Sequence, residues 1–152
     1  VISPWTYGEK DIHESNLDLA EYIGFVYEIR NKTNGMKYIG KKLFTKAGTK
    51  QVKGKKKKIR KPSDWESYFG SSPRFKEAVQ AEGKDNFERR ILRLCTTLSE
   101  LSYWESWWIY NKHAIVDPMF YNDWISSRTT RAHLNKVATK ILQPIHYGDS
   151  HE

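Results

Sequence analysis

One cysteine in 152 residues, Cys95, excludes an internal disulfide framework and any cysteine-rich zinc site. No apolar run approaches the roughly 20 residues that span a bilayer, which argues against an integral membrane protein. Val1 to Lys10 lack the basic-then-apolar order of a signal peptide, so a reducing, cytoplasmic setting is expected. His113, His133, His146 and His151 fall at no metal-ligand spacing. No internal repeat is visible. Acidic residues are missing altogether between Lys41 and Lys61, where eleven basic side chains lie. Of 26 Lys and Arg this leaves 15 for the other 131 residues, against 18 Asp and Glu. The formal charge of +8 therefore belongs to one segment on a slightly acidic body.

A content of 38% hydrophobic and 14% aromatic residues supports a packed core, and the mean hydropathy of −0.76 a strongly hydrated surface. The length suits a single domain. A basic block this dense repels itself and suits a polyanion; a solvated loop or a localisation signal has the same composition.

Residues 1–22 read as an acidic arm, with Ser15 placed to cap a short helix through Leu17, Leu19, Ala20 and Tyr22. From Gly24 to Arg30, Phe25, Tyr27 and Ile29 alternate with Val26, Glu28 and Arg30. Asn34-Gly35 then leads into Met36–Gly40, and this pattern predicts a β-hairpin. The segment 41–61 lacks hydrophobic periodicity and reads as an inserted loop ending at Pro62. Ser72 as N-cap, Pro73 at the first helical position and Gly83 at the end predict a helix. Residues 86–95 predict a strand with Arg90, Leu92 and Leu94 on one face. Thr97-Leu98-Ser99-Glu100 has the form of a capping box opening a helix to about His113. On that helix Glu105 joins an aromatic stripe with Leu101, Trp104 and Trp108, where an unpaired carboxylate would cost several kcal/mol. Residues 126–152 read as a mildly basic C-terminal arm, helical in part. The expected architecture is α+β: a small, mostly antiparallel sheet of about three strands flanked by helices.

Phe25-Val26-Tyr27, followed after ten residues by Tyr38-Ile39-Gly40, resembles the paired signature of the GIY-YIG nuclease superfamily, with Phe25 in place of the first glycine. Trp104–Ile109 resembles the helix carrying that family's glutamate, Glu105 here. Phe120-Tyr121-Asn122 resembles the tyrosine-asparagine that closes its core. The resemblance spans residues 23–124 and sets the expected nuclease domain at 23–125. It implies a free-standing phage or bacterial DNA endonuclease that hydrolyses phosphodiesters and leaves 5′ phosphates.

The resemblance further implies that Tyr27 accepts the proton of the attacking water or positions it, with Tyr38 in support. It implies that Glu105 holds one Mg²⁺ or Mn²⁺ and that Asn122 organises the site. Gly40 would let a phosphate approach the backbone. A phenolate role for a tyrosine that titrates near 10 calls for a cationic neighbour, and Lys41 and Lys42 are the expected source. The family arginine has no counterpart at its usual spacing, because Gly48 stands there. Arg60 is the expected substitute, with Lys42 or Lys46 behind it, and Lys55, Lys56, Lys57 and Lys58 are expected on the DNA backbone. No recognition module like that of intron-homing relatives is evident, so low sequence specificity is expected, from a monomer or a homodimer.

Each residue also has a plainer reading. Tyr27 and Tyr38 suit a cross-strand aromatic pair, Glu105 the border of a surface helix, and Asn122 an ordinary turn. The order and spacing of the four together favour the nuclease, with a nucleic-acid-binding protein that keeps the fold without turnover, or a dimeric restriction-type enzyme, as the alternatives.

Overall fold

The computed structural model describes residues 2–125 and 131–142. Strand β3 (Gly24–Asn31) lies between two antiparallel neighbours, β4 (Lys37–Leu43) and β7 (Phe87–Cys95). The hairpin read around Asn34-Gly35 is present, and Gly35 takes the positive φ of 75° that the loop needs.

The sheet is larger than the three strands expected. Two short strands, β1 (Trp5–Tyr7) and β2 (Lys10–Ile12), extend it, giving the order β2-β1-β7-β3-β4. β1 runs parallel to β7 and the other pairs are antiparallel, so the sheet is mixed. The acidic N-terminal stretch is thus part of the sheet. Ser15 caps no helix there: Glu14–Asn16 make a single 3-10 turn. Trp5 is buried, and its indole N–H donates to the Trp65 carbonyl at 2.7 Å, fastening β1 to the core.

The basic segment is not a loop. Lys41 and Lys42 finish β4, while β5 (Thr45–Val52) and β6 (Lys55–Pro62) form a separate two-stranded ribbon. Helix α1 (Pro73–Glu82) follows, bounded by Ser72 and Gly83 as read, and α2 (Leu98–Asn111) packs on the opposite side of the sheet.

The sheet separates two apolar clusters. Phe25, Tyr27 and Ile29 face Trp65, Phe75 and Phe87, while Val26 and Ile39 face Leu101, Trp104 and Trp108. Period-two alternation along β3 feeds one side chain to each cluster in turn. In β7 that alternation breaks. The register against β3 slips between Val26 and Tyr27, where Leu92 is the extra residue. Leu92 joins the α2 cluster and Leu94 the other, so the expected shared face of Arg90, Leu92 and Leu94 does not form.

Helix α2 opens with the Thr97 hydroxyl accepting from the Glu100 N–H at 3.0 Å. The return arm of the box closes one residue early: the Glu100 carboxylate accepts from the Thr96 N–H at 2.7 Å and from its hydroxyl at 3.1 Å. Of the C-terminal arm, short helices α3 (Arg131–Leu134) and α4 (Ala138–Ile141) are described, and Lys140 Nζ lies 3.7 Å from Glu100. The rest of that arm, with His146 and His151, lies outside the described residues. No helix among the described residues is long and apolar enough to cross a membrane.

Candidate active site

β4 is an edge strand, and a cleft of about 240 Å³ opens along it. Tyr27, Tyr38, Gly40, Lys41, Glu105 and Asn122 all line this cleft. The sequence therefore brought together residues from β3, β4, α2 and the segment after α2.

Tyr27 and Gly40 are direct cross-strand partners. The Tyr27 ring lies over Gly40: a Cβ there would collide with the Tyr27 hydroxyl and meet Cζ at 2.6 Å and the Tyr38 ring at 3.1 Å. The glycine is needed to seat the tyrosines, not only to admit a ligand. Tyr27 is fully buried, and burial pushes its phenol well above the ordinary value, helped by its hydrogen-bond partner Tyr68. Tyr38 is pushed up to about 12 by burial, against hydrogen bonds from Ser71 and the Ser72 backbone that favour the phenolate. Both tyrosines are neutral near pH 7.

The lysines expected to favour a phenolate are engaged elsewhere. Lys41 Nζ donates to Ser102 Oγ at 2.9 Å and stands 3.8 Å from Glu105. Lys42 Nζ is 2.7 Å from Asp64 and sits 4.0 Å over the Tyr68 ring. Glu105, at the edge of the aromatic stripe, keeps 17% of its side chain exposed toward the cleft. Burial raises its pKa and Lys41 opposes the rise. The pair offsets only part of the cost of placing a carboxylate on that stripe.

Asn122 acts on the backbone. Its Oδ1 accepts from the Ile39 N–H at 3.0 Å and its Nδ2 donates to the Ile39 carbonyl at 2.7 Å. The side-chain amide thus replaces a missing neighbour strand at the open edge of β4, between Tyr38 and Gly40. Tyr121 N–H to the Lys37 carbonyl at 2.8 Å and Lys37 N–H to the Met119 carbonyl at 2.9 Å extend the same clamp.

Arg60 is not brought to the cleft. It lies exposed on β6, donating to Thr45 Oγ1 at 3.1 Å and to the Thr45 carbonyl at 2.8 Å. Lys46 and Lys55, Lys56, Lys57 and Lys58 likewise belong to the ribbon. An insertion carries its side chains away from the register of the site.

Sequence reasoning missed several cleft residues. Ser71 and Ser72 stand at the start of α1, and Asp123 and Trp124 follow Asn122; Tyr68, outside the cleft lining, hydrogen-bonds Tyr27. The capping signal at Ser72 located the first pair in the fold without placing it in the cleft. Arg74, on the first turn of α1, donates to the Phe120 carbonyl at 2.8 Å and lies 3.5 Å from Asp123. It brings to the cleft rim the guanidinium that Arg60 does not.

Among the described residues no three His, Cys, Asp or Glu side chains group as a metal cage. A lone carboxylate in a hydrated cleft instead suits a hard divalent cation that retains most of its waters. Glu105 is such a donor, and it fits one Mg²⁺ or Mn²⁺.

No curated protein and no solved structure matches the chain. Residues 5–125 match the family described as "Putative endonuclease segE, GIY-YIG domain", including strands β1 and β2 and the whole cleft. A cleft built from the tyrosine hairpin, the α2 glutamate and the asparagine clamp, in a chain matched over most of its length, shows that the protein belongs to the GIY-YIG endonuclease superfamily.

Proposed function

We propose that the protein is a metal-dependent endonuclease that hydrolyses DNA phosphodiesters in the β4 cleft. The observation that carries this reading is the convergence of Tyr27, Tyr38, Gly40, Lys41 and Glu105 on one cavity. Glu105 would hold a divalent cation, which when bound supplies compensation for charge on the phosphate and on the leaving 3′ oxygen.

The chain's own residues perform the rest. Tyr27, fixed by Tyr68 and seated over Gly40, directs its hydroxyl to the attacking water. Burial keeps that hydroxyl neutral, so it first orients the water by hydrogen bonding. To take the water's proton it would first have to give up its own to solvent, a change that a cationic neighbour favours. Tyr38, bonded to Ser71 and Ser72, packs in parallel on Phe75 at 4.8 Å and keeps the ring pair from shifting. Lys41 compensates Glu105 in the free protein and turns to a phosphate oxygen once the carboxylate is otherwise engaged. Asn122 holds β4 in register, and Arg74 adds a guanidinium at the rim.

Plasmid nicking in Mg²⁺ by the parent and by Glu105→Ala tests the assignment. Loss of nicking with duplex binding intact supports it. Equal nicking by both would refute the proposed site. Binding without nicking by the parent would establish a nucleic-acid-binding protein without turnover.

A further inference from the structure

The β5–β6 ribbon has a construction that a simple phosphate-binding loop does not need. Eight residue pairs hold it in register, from Thr45↔Pro62 to Val52↔Lys55. Its two-residue turn places Lys53 and Gly54 both at positive φ, 51° and 78°, the pattern of a type I′ hairpin. The ribbon pairs with no strand of the main sheet and contains no acidic side chain. Lys50 stands directly opposite Lys57, and Lys46 opposite Lys61. Like charges so placed oppose pairing, and an isolated two-stranded ribbon is marginal in water. A polyanion along its length removes that opposition.

The alternation of the pairs gives the ribbon two unlike faces. One carries Lys46, Lys50, Lys55, Lys57 and Lys61 around Gly48, Val52 and Ile59. The other carries Thr45, Ala47, Thr49 and Gln51 opposite Lys56, Lys58 and Arg60. On this second face the β5 half carries mostly short side chains and no lysine, with Thr49 and Gln51 able to hydrogen-bond, while Lys56, Lys58 and Arg60 stand directly opposite. The root is rigid. Phe44 is fully buried with its ring 5.0 Å from Trp65, its N–H donates to the Ile23 carbonyl at 2.9 Å, and the Ser63 N–H donates to the Phe44 carbonyl at 2.9 Å.

We propose that this ribbon enters the major groove of duplex DNA, with Thr49 and Gln51 toward the base edges and the lysines on the flanking phosphates. The partner class rests on the nuclease reading; the groove rests on the ribbon's own dimensions and faces. Eight residues of strand span about 26 Å. A major groove about 12 Å wide admits a two-stranded ribbon as it stands, whereas a minor groove about 6 Å wide takes one only after the duplex is deformed at an energetic cost. Because β5 continues β4 with only Phe44 between, the contact begins within about 17 Å of Gly40 and reaches no farther than about 46 Å at Gly54. The enzyme would therefore touch base edges up to about 14 base pairs from the bond it cuts. That contact offers sequence preference which phosphate contacts alone cannot give.

The test is duplex binding by the Glu105→Gln protein to three mixed-sequence probes: unmodified DNA, DNA whose pyrimidines carry a bulky neutral 5-substituent filling the major groove, and unmodified DNA saturated with the minor-groove ligand netropsin. Nicking of the same probes by the parent is followed in parallel. The expected result is a loss of affinity of about 5-fold or more on the filled major groove and less than about 2-fold with netropsin. In the same assay Lys55, Lys56, Lys57 and Lys58 replaced by alanine should lower the salt slope by up to about 3.6, with thermal unfolding unchanged. Thr49→Ala with Gln51→Ala should leave the slope and flatten preference among sequences.

If the parent nicks DNA while the filled major groove binds as tightly as the plain duplex, the groove assignment is overturned and the nuclease reading stands. If the filled groove blocks binding but the parent never nicks, the groove assignment stands and the nuclease reading fails. If neither effect is seen, both fail.

Discussion

Replacing Asn122 separates a structural clamp from a group that touches substrate. The side chain is 8% exposed and makes two hydrogen bonds, both to the backbone of Ile39. Asn122→Ala removes both. With each bond contributing a net 0.5–1.5 kcal/mol, the expected loss of stability is about 1–3 kcal/mol. For a domain of this size that corresponds to a fall in Tm of about 3–10 °C. Asn122→Asp retains the shape and is more informative. An ionised carboxylate still accepts from the Ile39 N–H, but its second oxygen faces the Ile39 carbonyl, and the two repel. Protonation turns that oxygen into a donor and restores the clamp. The folded-state pKa of the new carboxyl is thus raised above its unfolded value. The penalty is full above the folded pKa and gone below the unfolded one. Asn122→Asp should therefore be the less stable of the two variants at pH 7 and the more stable in mild acid. Urea unfolding at two pH values measures this, with exchange of the Ile39 amide as the local readout. If Asn122→Ala unfolds at the parent's midpoint with the Ile39 amide equally protected, the clamp does not hold β4.

Other expectations follow from the same geometry. Gly40→Ala forces the buried Tyr27 ring to move, at a cost of about 1–3 kcal/mol, and should abolish nicking; a fully active variant would mean that the ring does not lie over the glycine. Burial raises the Glu105 pKa, so its charged form carries a folding penalty at neutral pH that vanishes below the ordinary carboxylate range. Glu105→Gln should accordingly be more stable than the parent at pH 7 while losing nicking, and a lower Tm would refute this. Arg89, 2% exposed, donates to the carbonyls of Ser3, Glu66 and Tyr68, and burial lowers its pKa to about 10. Arg89→Leu should cost roughly 3–5 kcal/mol in chemical denaturation by orphaning those carbonyls. Trp124 is 67% exposed on the cleft rim, and Trp124→Ala should weaken binding of single-stranded DNA by about 1–3 kcal/mol; unchanged affinity would exclude it as a stacking surface.

The elements legible in the sequence are those whose signals are local. Alternation at Phe25, Tyr27 and Ile29 places β3, Ser72-Pro73 and Gly83 bound α1, and Thr97 starts α2. What escaped depends on distant partners. Trp5–Tyr7 is too short to announce a strand and gains its partner from Arg89 and Arg90, more than eighty residues on. The ribbon strands are poor in apolar residues and rich in lysine, so nothing in their composition suggests pairing. Leu92 shows how one extra residue defeats a periodicity argument, because its face is set by β3. In the site, motifs that resemble those of the nuclease family singled out Tyr27, Tyr38, Gly40, Glu105 and Asn122, and the fold brings all five to one cleft. The motifs did not give the partners of Lys41 and Lys42, or the clamp made by Asn122. Those follow from side-chain direction at the edge of β4.

The parallel pairing of β1 with β7 also bears on how the protein is made. During synthesis β1 emerges well before β7, its one strand partner besides β2 among the described residues, which is translated about eighty residues later. At about 5–20 residues per second β1 and β2 wait some 4–16 s for their place beside β7. Glu105 and Asn122 are added later still. A chain assembled in this order has no complete cleft until residues through Trp124 have been translated, so a product truncated before α2 would carry the lysine-rich ribbon without Glu105 or Asn122.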